Sequence, residues 1–319
     1  MKLTRARHEL MYVLSFTIVL LLGLAAPAVA GNWKTLASMP TPVLQPQVGT
    51  INGVLYVAGG ENSNGSLSIL QAFDPTKNTW TSLAAMPDIR SGGEVGVINS
   101  QLYVVGGWNA YLPTSTLFVY DPPSNTWLTM TSMSHLSACG VAGVINGLLY
   151  VTTACIGSGG DYNYLDVYNP ATNTWTSLPN SAYSHGDPAG GVINGKFYVA
   201  GGYDYYGNVQ SVVEVYDPAT NAWTTLKSMP KAIGGAGSAV ISGKLYVFGG
   251  NNGTTDITTV QVYDPIKNKW TVPLPLMPVA CQATRSDLLY GIAFLVGGLD
   301  NSGNALSYNY QYYQMPSIP

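Results

Sequence analysis

Charge is what this sequence has least of. Asp, Glu, Lys and Arg together make up 9% of its 319 residues, against about 25% in an ordinary soluble domain. With 13 basic and 16 acidic side chains, net −3, it has no means of neutralising a row of phosphates, and no nucleic-acid partner is expected. Three cysteines are too few to build a fold from disulfides, so a hydrophobic core must carry the stability. Three histidines leave little for a metal centre. No phosphate-binding glycine loop, nucleophile elbow or zinc motif occurs. Apolar and turn-forming residues are abundant instead: 46% hydrophobic, with 36 Gly, 20 Pro and 22 Tyr. Such a chain is neither disordered nor built of long helices.

The N-terminus reads as an address. Lys2, Arg5 and Arg7 precede a mostly apolar run from Leu10 to Ala26 that ends in Ala28-Val29-Ala30. This is the pattern of a secretory signal peptide over residues 1–30, cut after Ala30. The run is short for an uncleaved anchor. No Cys follows it, so a lipoprotein anchor is not supported. The mature chain, 31–319, is therefore expected in a periplasm or secreted to the medium, without a membrane span and as a monomer. Export permits disulfides, and Cys139, Cys155 and Cys281 are the candidates.

Self-similarity decides the fold class. Trp recurs at 33, 80, 127, 175, 223 and 270, at intervals of 47 or 48. Gly-Gly pairs end at 60, 107, 202, 250 and 298, and in the remaining unit Thr153-Ala154 takes their place. Each unit reads as four strands. A small-residue strand, a tight Asn-Gly or Ser-Gly turn, and a Leu-Tyr-Val-x-Gly-Gly strand come first. A variable loop, a third strand, an Asp-Pro-x-x-Asn turn and a strand opening with Trp complete the unit. Six four-stranded antiparallel units make an all-β six-bladed propeller. The sixth unit lacks its own Asp-Pro turn and Trp, so the segment around Trp33 is expected to complete it and remove the free edge.

The Gly-Gly, the spaced Tyr and the Trp in units of about 47 residues resemble kelch repeats, over essentially all of 31–319. That resemblance implies a propeller whose fourth-to-first and second-to-third loops share one ligand-binding face. Aromatics on these loops gather on three adjacent blades: Trp108 and Tyr111, Tyr162 and Tyr164, then Tyr203, Tyr205 and Tyr206. Such a sector, with Asn and Asp nearby, suits a sugar or a peptide-like partner. Alignment on the turns places Arg90, Ser137 and His185 at one level, where many kelch domains direct an Arg at the ligand. Glu94, Gln47 and Arg285 fall deeper in the channel, where a Glu–Arg pair is expected.

Among exported kelch-like enzymes, galactose oxidase needs two His, two Tyr and a cross-linked Cys to hold copper. Only His135 and His185 are available in the mature chain, with Tyr183 and Asp187 as the neighbours that could join them, so no metal and no cofactor is expected. Cys139 and Cys155 flank one hairpin and are candidates for a disulfide. The reading is an exported kelch-repeat binding module that holds a glycan or a protein on the loop face of blades two to four. The alternative is a sugar anomer isomerase similar to sialic-acid mutarotases. It would use Glu94 with Arg90 or Arg285 as acid/base and anion-holding groups.

Overall fold

The computed structural model describes residues 31–154, 163–272 and 275–314. The proposed signal peptide, Cys155 and Tyr162 lie outside the described residues. No described helix is long and apolar enough to cross a membrane. The chain forms six four-stranded antiparallel sheets and two short two-stranded hairpins. Blade one comprises Gln47–Ile51, Val54–Ala58, Leu70–Asp74 and Thr79–Leu83. Blade two comprises Glu94–Ile98, Gln101–Val105, Leu117–Asp121 and Thr126–Met130. Ala142–Ile145, Leu148–Thr152, Leu165–Asn169 and Thr174–Leu178 make blade three, and Ala189–Ile193, Lys196–Ala200, Val213–Asp217 and Ala222–Thr225 make blade four. Blade five is Gly237–Ile241, Lys244–Phe248, Val260–Asp264 and Lys269–Thr271. Blade six is Arg285–Leu289, Ile292–Val296 and Asn309–Gln314, closed by Gly31–Thr35.

Burial follows position within a blade. The second strands are almost continuously buried, as in Val54–Ala58, while the fourth strands are largely exposed apart from their Trp. An apolar middle strand fits sheets stacked face to face on both sides, and the outermost strand needs only one apolar anchor. The inner hairpin of blade one turns at Asn52-Gly53, with φ of 49° and 88°. A two-residue turn that matches strand twist requires this conformation.

The repeated Tyr-Asp-Pro-x-x-Asn-x-Trp is a clasp between blades. Trp80, Trp127, Trp175, Trp223 and Trp270 each donate their indole N–H, at 2.8 Å, to the carbonyl of Ala37, Ala84, Thr131, Pro179 and Lys227 in the preceding blade. The turn Asn sits at positive φ, 45° to 54°, and accepts the hydroxyl of its own blade's Tyr at Tyr120, Tyr168, Tyr216 and Tyr263. The same oxygens of Asn125, Asn173 and Asn268 also accept the preceding blade's N–H from Ala84, Thr131 and Lys227, and Asn78, whose blade has Phe73 in place of the tyrosine, accepts that of Ala37. Pro179 has no N–H to give, so Asn221 carries the tyrosine alone.

Gly-Gly pairs seal the inner seams. Gly60, Gly107, Gly202, Gly250 and Gly298 donate to the carbonyls of Arg90, Ser137, Ile233, Cys281 and Val43 in the next blade. A Cβ at Gly106 would lie 2.6 Å from the Ser137 carbonyl, and one at Gly201 2.7 Å from that of Ile233, both at positive φ. Only glycine lets the backbones approach so closely.

Closure occurs as the sequence leads one to expect. Gly31–Thr35 pairs antiparallel with Asn309–Gln314, and Trp33 stands opposite Tyr312. This is the register of Trp80 with Phe73 and Trp127 with Tyr120. The N-terminal strand is then gripped from the other side through Ala37 by Asn78 and Trp80 of blade one.

Candidate functional site

The level of Arg90 and His185 lies buried in the seams between blades. Val43, Arg90, Ser137, His185, Ile233 and Cys281 are all buried, none more than 4% exposed. The Gly-Gly seams draw this segment of each blade against its neighbour, and the side chains go into the seam. Arg90 pairs with Asp88 at 2.9 Å and lies over the Phe118 ring, 5.0 Å from its centroid. His185 donates Nδ1–H to the Gly201 carbonyl at 2.8 Å, with Nε2 3.0 Å from Glu214.

The axis is closed by a ring of peptide groups. Gln45, Gly92, Cys139, Asp187, Gly235 and Ala283, one from each blade and all at positive φ, each donate N–H to the previous member's carbonyl at 2.6 to 2.9 Å. Side chains fill the ring. Gln45 Nε2 donates to Cys139 Sγ at 3.2 Å and to Asp187 at 3.5 Å, and Arg285 reaches Asp187 at 2.6 Å. Trp108 donates to Cys139 Sγ at 3.4 Å, and Tyr203 crosses to Gln282 at 3.2 Å. Both aromatics therefore pack over the axial plug.

Two expectations change here. Arg285 pairs with Asp187, not Glu94. Glu94 instead accepts Ser137 Oγ and the Gly140 N–H, both at 2.7 Å, in the seam between blades two and three. Burial pushes its carboxyl up to about 7, against smaller lowering by Ser137, Gly140 and Arg285. Cys139 is a free thiol whose side chain turns to the axis instead of across its hairpin, and burial pushes it up to about 12. Glu94 and Arg285 do line an axial cavity of about 390 Å³. It runs along the first strands from Pro46 and Gly93 past Thr50, Val97 and Val240, beyond the plug from the loop face.

On the loop face the structure forms a second cleft, of about 570 Å³, between blades three and four. Tyr164, Tyr205 and Tyr206 of the expected sector line it, joined by Tyr183. Tyr183, Tyr205 and Tyr206 are 44%, 51% and 84% exposed, well beyond what packing requires. Tyr111 stands apart at the tip of the blade-two hairpin, 91% exposed.

Two buried acids hold the walls. Asp166 accepts His135 Nδ1–H at 2.8 Å and Ser177 Oγ at 2.7 Å, and His135 stacks on Tyr164 at 3.9 Å with the rings 8° apart. Glu214 accepts the Ala182 and Tyr183 N–H groups at 3.1 and 3.2 Å beside His185. The two histidines thus each serve a buried carboxylate, and the described residues contain no cluster of metal-ligating side chains.

Asp166 and Glu214 escaped the reading of the sequence. They share the second position of the third strand with Gln71 and Gln261, which hold the incoming loop by accepting the Thr41 and Lys231 N–H groups. A polar residue recurring inside Leu-Asp-Val-Tyr and Val-Glu-Val-Tyr was the available signal.

The solved structure of YjhT superposes with a TM-score of 0.74 at 19% identity, covering 86% of this chain and 95% of that one. The likeness is one of fold. No curated protein matches the chain in sequence. The family model described as the Attractin/LZTR1 beta-propeller matches residues 55–285, from the second strand of blade one to the first of blade six. With its clasps, seams and six blades accounted for, the chain belongs to the Attractin/LZTR1 β-propeller family of kelch-type propellers.

Proposed function

We propose that this protein is an exported, monomeric binding module that holds a glycan in the tyrosine-lined cleft between blades three and four. A kelch-type propeller is an interaction scaffold, and here the observation that supports a ligand is the cleft itself. Four tyrosines and the side chains of Asn163, Asn180, Asp204 and Gln210 line about 570 Å³. Flat apolar faces edged by a few polar groups suit a sugar ring, which has an apolar face and a hydroxyl rim. Ligand-observed NMR of residues 31–319 with a panel of monosaccharides tests this. Saturation transfer that falls at least about fivefold in Tyr206→Ala supports the cleft, whereas transfer unchanged in Tyr206→Ala and Tyr183→Ala rejects it.

A second reading rests on Glu94, a carboxyl near neutrality in the wall of the axial cavity. A group that protonates and deprotonates close to the working pH suits acid/base chemistry such as sugar anomer exchange. Accelerated exchange of an anomeric proton by the protein, lost in Glu94→Gln, supports it. Exchange at the uncatalysed rate rejects it.

A further inference from the structure

We propose that the ligand of this cleft is a sugar carrying a protonated amine, an unacetylated amino sugar, with Asp204 as the counter-charge. The inference rests on the cleft being the binding site and names what it selects. Three observations support it.

The first is charge. Among the described residues lining the cleft, Asp204 is the sole ionisable group besides the tyrosine phenols. Its Oδ1 accepts the Tyr206 and Asn208 N–H groups at 2.9 and 2.8 Å, and its Oδ2 accepts Asn208 Nδ2 at 3.1 Å. Burial pulls this carboxyl upward, but hydrogen bonds from Asn208, Tyr206 and Gly207 outweigh that and hold it below the usual carboxylate range. Oδ2 retains acceptor capacity. A sugar carboxylate would meet a like charge here, with no cation among the described residues of the lining.

The second is hydrogen-bond polarity. Asn163 Nδ2 donates to the Ser181 carbonyl and Gln210 Nε2 to that of Ser184. Both contacts hold an amide nitrogen on a backbone carbonyl, and the Asn163 amide oxygen in turn accepts Asn180 Nδ2 at 3.4 Å. One proton of each of these amide nitrogens is thereby spent on the protein, while the Asp204 carboxylate is acceptor-only, which favours a ligand that donates, as an ammonium among hydroxyls does.

The third is the arrangement of rings. Tyr205 and Tyr206 stand nearly perpendicular, 86° apart with centroids at 5.3 Å. Both line the cleft and are exposed, and the negative face of a tyrosine ring attracts a cation.

The test is an NMR titration of residues 31–319 with glucosamine, N-acetylglucosamine and glucose at a pH where the amine is protonated. Glucosamine is expected to bind about tenfold more tightly than the other two, a difference of one charge-assisted hydrogen bond. Asp204→Asn, which keeps Oδ1 to accept the loop N–H groups, should remove that preference, and Tyr206→Ala should weaken all three sugars. Equal or tighter binding of N-acetylglucosamine or glucose, or a preference that persists in Asp204→Asn, overturns the inference. The cleft reading still stands in that case if Tyr206→Ala weakens what binds. Binding of no sugar, or binding indifferent to Tyr206→Ala, overturns both.

Discussion

Single residues carry unequal weight in the repeat because their partners differ. Asn125 and Asn173 each accept a tyrosine hydroxyl and a neighbouring blade's N–H, while Asn221 accepts only Tyr216, since Pro179 lacks the donor. All three sit at positive φ, so the backbone cost of Asn→Ala is shared and cancels on comparison. Thermal melts should then show Asn125→Ala and Asn173→Ala each about 1 kcal/mol more destabilised than Asn221→Ala. Equal losses would mean that the inter-blade bond contributes nothing. Glu94 gives a pH signature. Its carboxyl binds a proton more readily in the folded protein than in the unfolded chain, so its contribution to stability is lost as pH rises from the ordinary carboxylate range through about 7. Gln at 94 still accepts from Ser137 and Gly140 but carries no charge. Glu94→Gln is expected to melt higher than the wild type at pH 8–9, by ~3 kcal/mol at most, and to lose this advantage near pH 4. Buried Asp256 and part-buried Asp287, also raised, leave some slope of the same sign.

Among elements, Gly31–Thr35 has the most consequence for its size. It fills the outer edge of blade six, and Trp33 packs edge-on against Phe248 at 5.8 Å and beside Tyr312 at 4.8 Å. Ala37, just beyond it, is held by two hydrogen bonds from blade one. Deleting 31–38 exposes a sheet edge and breaks that clasp together. We expect a loss of more than about 5 kcal/mol and a broadened melt, since a Trp truncation alone costs 3–5 kcal/mol. A truncated protein melting with the intact one would show that the ring closes elsewhere. Most of this was legible: the interval of Trp and the orphaned sixth unit located the strand before any coordinates. Less legible was the second position of the third strand, where Gln71, Asp166, Glu214 and Gln261 do one structural job with different chemistry.

At the scale of the whole molecule, the axial plug divides the two faces. Six peptide hydrogen bonds and a part-buried Arg285–Asp187 pair at 2.6 Å separate the loop face from the cavity that Glu94 lines. Removing Arg285 leaves the buried Asp187 carboxylate without its cation. Arg285→Met should therefore cost ~3 kcal/mol by thermal melting, and a variant as stable as the wild type would show the pair to be solvated. Hydrogen exchange offers a second check. The amides of Gln45, Gly92, Cys139, Asp187, Gly235 and Ala283 should exchange at one common slow rate, because none can open without disturbing its neighbours.

The sequence alone determined the number of blades, their register and the way they close. Those depend on turns, strand alternation and a repeat of 47 or 48 residues, all local or periodic properties. It also marked Tyr164, Tyr205 and Tyr206 as surface residues of adjacent blades. Only the tertiary structure decided that these three meet Tyr183 in one cleft while Trp108 and Tyr203 turn to the axis. It likewise decided that Arg90 and His185 go into seams, and that Arg285 takes Asp187 from a blade two places away. Loop direction, and the seam or axis a side chain enters, are set by neighbours about 50 or 100 residues distant along the chain. Local preference does not contain them.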